Sequence, residues 1–438
     1  MKLLNTTTEK ILENLGFKDL NEMQKSTLDV SKKHSNILLL APTGSGKTVA
    51  FILSMLPKIT NKKGIQVLII APTRELVLQI ESVLKKMKLS IKINTCYGGH
   101  SFQQEKKNFS TLPTILIGTP GRIQDHLERK TFDSTTIEHL IFDEFDKTLE
   151  FGFSNQIETI MKYLPNANSK ILASATKSIE IPEYIHFNDF KTVNSEFKPE
   201  GNLALKQIFV EKEEKLDGLL SVLNQLNKNQ NAIVFVNHRE ACDRISEHLE
   251  AHKIVFATFH GGLEQEKREA SLTKFRNGSA QILIATDIAA RGIDIPELDY
   301  VIHYQLALQE STFTHRNGRT ARMKASGTSV LIRTFGDYLP PYLNEEPETF
   351  EINPSKTIEK PEWITFYIGK GKKNKISKFD LVGFFLQFDF MEKLDLGLIE
   401  VKDFNAFVAI KRAKSKQLFQ AVQKKKIKSK TVKIQFSK

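Results

Sequence analysis

The sequence predicts a parallel α/β protein, two α/β domains in tandem followed by a small α+β domain. Three observations carry this. Short β-branched or aliphatic runs alternate with helical patterns through the first 335 residues. Nearly every run ends in a Gly, Pro, Ser/Thr or charged cluster, and residues 361–438 change to a β-α-β-β-α-β order. At 438 residues the chain exceeds one ordinary core.

In the first domain strands are expected at Ile37–Leu40, Val67–Ile70, Ile115–Ile117, Leu140–Phe142 and Lys170–Ala173. The second domain should hold Ala232–Val236, Gln281–Ala285, Tyr300–Tyr304 and Ser329–Ile332. Polar motifs thus collect at strand C-terminal ends, where open α/β sheets bind ligands. Between Asn188 and Leu205 periodicity is lost and turn formers accumulate, and a second break runs from Asn344 to Lys360. The expected division is 1–195, a linker at 196–206, 207–343, a linker at 344–360, and 361–438.

In the last segment strands are expected at Trp363–Ile368, Leu398–Val401, Ala406–Ile410 and Thr431–Phe436, with helices near Lys378–Phe388 and Ser415–Gln423. This is the pattern of an RRM-like module. Its alternating apolar positions argue against a merely disordered basic end.

Charge is uneven. Residues 361–438 hold 18 Lys/Arg against 7 Asp/Glu, whereas residues 1–360 are near neutral at 45 against 44. A clustered basic face attracts polyanions, so the end of the chain is a nucleic-acid candidate. Only 13 of the 63 basic residues are Arg, and seven of them (Arg74, Arg122, Arg268, Arg291, Arg316, Arg319, Arg322) fall in short motifs, where a planar fork grips phosphate. Cys96 and Cys242 are the two cysteines, without paired or metal-ligand spacing. With no signal-type apolar start and no membrane-length run, a soluble cytoplasmic protein is expected, with no membrane partner.

Two segments carry chemistry. Ala41-Pro42-Thr43-Gly44-Ser45-Gly46-Lys47-Thr48 follows an apolar run and reads as a strand feeding a phosphate-binding loop, although Ala41 stands where the general pattern has Gly. Glycines let backbone N–H groups turn toward phosphate oxygens, Lys47 adds charge at the β/γ-phosphates and the Thr48 hydroxyl ligates Mg²⁺. Leu140-Ile141-Phe142-Asp143-Glu144-Phe145-Asp146 supplies the carboxylates. Asp143 would hold the Mg²⁺ shell and Glu144 would orient or deprotonate the attacking water.

From Gly16 to Arg322 the ordered motifs resemble the DEAD-box RNA helicase family. Phe17 and Gln24 look like its adenine-reading element. Pro72-Thr73-Arg74, Gly98-Gly99 and Thr119-Pro120-Gly121-Arg122 look like RNA-backbone contacts of the first domain. Ser174-Ala175-Thr176 matches the element that couples hydrolysis to unwinding, with Asp146 as its partner. In the second domain Thr286 belongs to an RNA-contacting segment and Asp294 would meet the ribose. The resemblance implies two RecA-like domains with ATP in the cleft between them, and Arg319 and Arg322 as fingers on the γ-phosphate. ATP and RNA should then bind with positive coupling.

The family signature has alanine at its third position, and this chain has Phe145. Added bulk beside Asp146 is expected to cost about 1 to 3 kcal/mol unless neighbours adjust; we expect that they do and that activity remains.

An RRM-like module after such a core resembles the DbpA group of bacterial helicases, whose tail anchors the enzyme to structured ribosomal RNA. Strand alternation lets Tyr367 and Phe407 share an exposed face for base stacking, with core burial of both as the alternative. Lys372, Lys373 and Lys411 are expected phosphate contacts, among other loop and helix lysines.

The resulting expectation is a monomeric ATP- and Mg²⁺-dependent RNA helicase acting on structured RNA, ribosomal RNA during large-subunit assembly, in association with pre-ribosomal particles. Two alternatives stay open: an ATP-gated RNA clamp or chaperone with weak unwinding, and a DNA-directed enzyme.

Overall fold

The computed structural model describes all residues except 1–6, 43, 100–101, 176–179, 196–202, 291–294, 321–325, 424 and 438. The chain divides into two compact units, one built on Met1–Lys198 and the other on nearly all of the remaining residues.

In the first unit seven parallel strands form one sheet: β1 (Asn36–Leu40), β2 (Val67–Ile70), β3 (Ile93–Cys96), β4 (Ile115–Gly118), β5 (His139–Phe142), β6 (Ser169–Ser174) and β7 (Phe190–Asn194). Their order is β3-β4-β2-β5-β6-β1-β7. Alternate residues feed two cores. Ile37, Leu39, Val67 and Ile69 point into one, while Leu38, Leu40, Leu68 and Ile70 point into the other. Helices cover both faces, which is why the inner strands are almost wholly apolar. The edge strands β3 and β7 lack that signal: Asn94 and Thr95 interrupt one, and Phe190, Lys191 and Thr192 of the other are exposed.

The second unit begins with another parallel sheet. Its strands are β8 (Leu203–Val210), β9 (Ala232–Phe235), β10 (Phe256–Phe259), β11 (Ile282–Ala285), β12 (Tyr300–His303), β13 (Gly327–Thr334) and β14 (Glu348–Thr349), ordered β10-β11-β9-β12-β13-β8-β14. Two linker expectations are corrected here. Residues 203–206 belong to β8, which pairs along its length with β13. Within 344–360, β14 pairs with Lys206 and Gln207 of β8, and Phe350 is buried with its N–H donating to Gln207 O at 2.8 Å. Turn formers suggested spacers, but the sheet edge and the buried Phe350 recruit both segments.

The end of the chain folds as expected into an antiparallel sheet. Its strands are β15 (Trp363–Ile368), β16 (Leu396–Val401), β17 (Ala406–Lys411), β18 (Lys426–Ile427), β19 (Lys430–Thr431) and β20 (Ile434–Phe436), of which four form the order β16-β17-β15-β20. The expected last strand is divided: β18 and β19 make a separate two-stranded hairpin, turned by Lys428 and Ser429 at positive φ. Helices Lys378–Leu386 and Arg412–Val422 supply Leu381, Phe385 and Leu418 to a core with Phe366, Ile368, Val408 and Ile410.

The opposite face of this small sheet packs on the second α/β domain. Arg276, at the end of helix Gln265–Arg276, grips Glu400 of β16 through two 2.8 Å bonds. The Thr365 hydroxyl of β15 meets Asn277 Nδ2 at 2.9 Å and Ser279 Oγ at 2.8 Å. Although burial pushes the Glu400 carboxyl up, Lys402 and Arg276 hold it below the usual range, so the pair stays ionised.

Candidate nucleotide and RNA sites

In the first unit the strand order sorts the predicted residues. The phosphate loop follows β1, Asp143 follows β5 and Ser174 ends β6, and these strands are adjacent in the order β5-β6-β1. Pro72 and Arg74 follow β2, Gly98-Gly99 follow β3 and Thr119 follows β4, which are adjacent as β3-β4-β2. Candidate nucleotide and RNA groups therefore occupy the two halves of one sheet edge.

Helix Lys47–Met55 starts at Gly46, whose φ of 88° places the chain in a left-handed turn favouring glycine; Gly44 is similar at 85°. Lys47 is buried, and its ammonium donates to Ala41 O and to Pro42 O at 3.1 Å. Burial lowers the Lys47 pKa, opposed by Asp143, Glu144 and Asp146. Burial and then Glu144 push the Asp143 carboxyl up to about 7. The Glu144 N–H donates to Asp143 Oδ1 at 3.0 Å, and Glu144 itself has φ 50°. A crowded, desolvated carboxylate pair beside a lysine is a place where a divalent cation and a phosphate chain would relieve charge. The donors fit Mg²⁺, which takes one or two carboxylates and completes its shell with phosphate and water.

Gln24 also has a role within the fold. Its Oε1 accepts from Asn21 N at 3.0 Å to cap helix Glu22–Ser31, while Nε2 donates to Gly46 O at 3.3 Å. Asn21 Nδ2 also donates to Ser45 O at 2.9 Å. The capping box therefore braces the phosphate loop, and Asn21 was missed because capping and ligand-side roles use the same residue types. Phe17 follows the helix-ending Gly16 and leaves its ring half exposed, open to stacking.

Phe145 is fully buried, edge-on to Phe142 at 5.4 Å, inside a core that also holds Ile157 and Leu172. Its bulk is absorbed by that core. Asp146 is buried next to Lys147, whose ammonium lies 3.9 Å away and also pairs with Glu150.

On the other half of the edge, the Arg74 guanidinium lies against Gly98 and Gly99. A Cβ at Gly99, where φ is 98°, would meet Arg74 Nη1 at 2.6 Å. Thr119 precedes helix Pro120–Glu128, which carries Arg122.

In the second unit Thr286 follows β11 and Arg319 is buried after helix Glu310–Asn317. Arg316 is committed internally. Its guanidinium donates to Asp287 Oδ1 at 2.6 Å, Gln305 O at 2.7 Å and Asn237 Oδ1 at 2.7 Å, and lies 5.1 Å from the Phe235 ring centroid. Burial and Arg316 pull the His303 pKa down to about 3, so its imidazole is neutral in the lattice around Asn317. Asn237 and Gln305 stand outside any recognisable spacing, which hid them. Thr43, Thr176, Asp294 and Arg322 lie outside the described residues.

The terminal domain corrects one expectation. Phe407 is buried on the face turned to the second α/β domain, and Tyr367, opposite it in register, packs edge-on at 5.6 Å and is half-buried. Neighbouring Thr365 and Glu400 are held by the second domain, so Phe407 offers no stacking surface. Lys372 and Lys373 are exposed, while Lys411 lies 3.8 Å from Glu362.

Charged and hydroxylic residues placed where parallel strands feed helices, on two successive sheets, define a nucleoside-triphosphate-driven enzyme of the paired-sheet class. Residues 21–183 match the DEAD/DEAH box helicase family, 211–324 the helicase conserved C-terminal domain and 365–436 the DbpA RNA binding domain. The chain is 31% identical over 442 residues to the ATP-dependent RNA helicase DbpA of Escherichia coli strain K12, covering 98% of this chain and 96% of the relative. Identity to DbpA of Bacillus subtilis strain 168 is 28% over 461 residues, covering 97% and 96%. To the ATP-dependent RNA helicase CshA of Listeria monocytogenes it is 33% over 373 residues, covering 82% and 70%.

Among solved structures, S. cerevisiae Dbp5 bound to RNA and ADP BeF3 shares the fold with a TM-score of 0.66 at 24% identity, covering 75% of this chain and 88% of that one. Mss116p bound to ssRNA and AMP-PNP does so with 0.67 at 24% identity, covering 78% and 77%. The chain belongs to the DEAD-box ATP-dependent RNA helicases, of the DbpA type. It is an RNA-stimulated ATPase with an RNA-binding terminal domain. No helix among the described residues is long and apolar enough to cross a membrane.

Proposed function

We propose that this helicase locally unwinds structured ribosomal RNA during large-subunit assembly, working as a monomer on pre-ribosomal particles. The observation that carries the unwinding part is the sorting of nucleotide and RNA groups along one sheet edge, with β2 beside β5. A strand bound by Arg74, Gly98, Gly99, Thr119 and Arg122 is then sensed next to the phosphates.

Within this reading Lys47 and the loop amides hold the β/γ-phosphates, and Phe17 stacks on the adenine. Thr48 and Asp143 would hold Mg²⁺, whose charge would offset that developing on the phosphate. Glu144 orients the attacking water and accepts its proton. Asp146, Ser174 and Thr176 pass the change to the RNA side. From the second domain Arg319 and Arg322 complete the γ-phosphate site, Asp294 meets the ribose and Thr286 continues the RNA path. The rival reading, an ATP-gated clamp with weak unwinding, drew on crowding by Phe145; burial of that ring against Phe142 weakens that motive, and strand separation assayed beside ATP turnover discriminates the two.

The ribosomal target rests on the similarity to DbpA and on the basic terminal domain. ATPase stimulation by ribosomal RNA fragments and by unstructured RNA, measured for the intact chain and after truncation near residue 360, tests it. Preference for particular fragments should vanish on truncation, and unchanged selectivity would refute the anchoring role.

A further inference from the structure

Glu105 is buried in the first unit, at 5% exposure, on the side of the sheet that carries the RNA-facing groups. Its carboxylate joins three elements. Oε2 accepts from Arg122 Nε at 2.6 Å and from His126 Nε2 at 2.9 Å, both on helix Pro120–Glu128. Oε1 accepts from the backbone N–H of Tyr97 at 3.3 Å, the residue that leads into Gly98-Gly99. Glu105 itself sits on helix Phe102–Asn108. The His126 contact to Oε2 is a donated hydrogen bond in the tautomer that carries the proton on Nε2.

The surroundings fix the arrangement further. The Phe102 ring stacks on His126 at 4.7 Å, and the Arg122 guanidinium lies 5.3 Å from the same ring centroid. A buried carboxylate near a polyanion's path repels that polyanion unless it organises cations there. Here it is within bonding reach of one of the arginines assigned to the RNA backbone, and it ties the Gly-Gly turn to that arginine.

We propose that Glu105 is a positioning residue for RNA: it sets the plane of the Arg122 guanidinium and the entry of the Gly98-Gly99 turn, so that both meet consecutive phosphates of one strand. The proposal rests on the reading of Arg122 as an RNA contact. Glu105 touches neither RNA nor ATP and acts through Arg122 and Tyr97.

The test uses the full-length protein and a single-stranded RNA activator, and reads the half-activating RNA concentration separately from turnover at saturating RNA. Glu105→Ala should raise the half-activating concentration about tenfold, the scale of one charge-assisted hydrogen bond, with saturated turnover held within about twofold. Glu105→Gln keeps an acceptor oxygen for Arg122 and should stay within about threefold of the parent. In an Arg122→Ala background, Glu105→Ala should add no further change.

A Glu105→Ala protein with lowered turnover and an unmoved half-activating concentration would overturn the proposal, because that is the signature of a purely structural carboxylate. A Gln variant that binds RNA no better than the Ala variant would also overturn it. If Arg122→Ala itself leaves the half-activating concentration unmoved, the RNA role of Arg122 fails and the proposal with it. If Arg122→Ala raises that concentration and Glu105→Ala does not, the proposal alone fails.

Discussion

Phe145 shows how a residue that breaks a sequence pattern is settled by its surroundings. As a departure from the family signature it predicted crowding at Asp146, yet the ring turns into the core beside Phe142. Phe145→Ala should therefore destabilise the protein by about 3 to 5 kcal/mol, the range for emptying a buried phenyl site. Urea unfolding measures this, and RNA-stimulated turnover per folded molecule should not rise. A gain in turnover without loss of stability would restore the crowding argument. At this scale the sequence offered candidates wherever chemistry demands a residue type at a fixed spacing, as for Lys47, Thr48 and Asp143, which the fold sets at the ends of the nearby strands β1 and β5. Glu105, Asn21 and Asn237 were not readable, because a single polar residue has no spacing and its partners are brought together only by the fold.

Strands and loops convert that residue list into a site. Apolar runs marked the inner strands because helices bury both of their faces, whereas β3, β7 and the two-residue β14 lie at or near sheet edges and carry polar residues that mask them. Residues 203–206 and 344–360 misled for the same reason: turn-forming composition reports local preference, while pairing with an open sheet edge is a long-range gain. The phosphate loop is held by Gly46 in a left-handed conformation under the Gln24 amide. A Cβ there would lie 2.5 Å from Gln24 Nε2. Gly46→Ala should thus displace the loop and weaken ATP binding by at least about tenfold, since a non-glycine residue at such a φ and a lost cap each cost on the order of 1 kcal/mol. Titration with a fluorescent ATP analogue checks this, and an unchanged affinity would mean that the Gln24 brace is dispensable.

At the scale of the molecule, motif order announced two α/β domains and a basic terminal domain, and the two parallel sheets and the antiparallel sheet confirm that architecture. What the sequence did not reveal is which face of the terminal sheet is occupied. The bidentate Arg276–Glu400 pair and the Thr365 hydrogen bonds fix that face to the second domain, so the terminal domain travels with it and presents its exposed lysines elsewhere. In the proposed function both α/β domains would contribute to ATP hydrolysis, the first through Lys47, Asp143 and Glu144 and the second through Arg319 and Arg322. The direct measurement is ATP turnover at saturating structured RNA in the full-length chain and its Arg319→Ala and Arg322→Ala variants, alongside ATP affinity. Loss of a finger arginine should reduce turnover by about 10³ to 10⁵ while ATP still binds the first domain; turnover equal to that of the parent chain would contradict the claim.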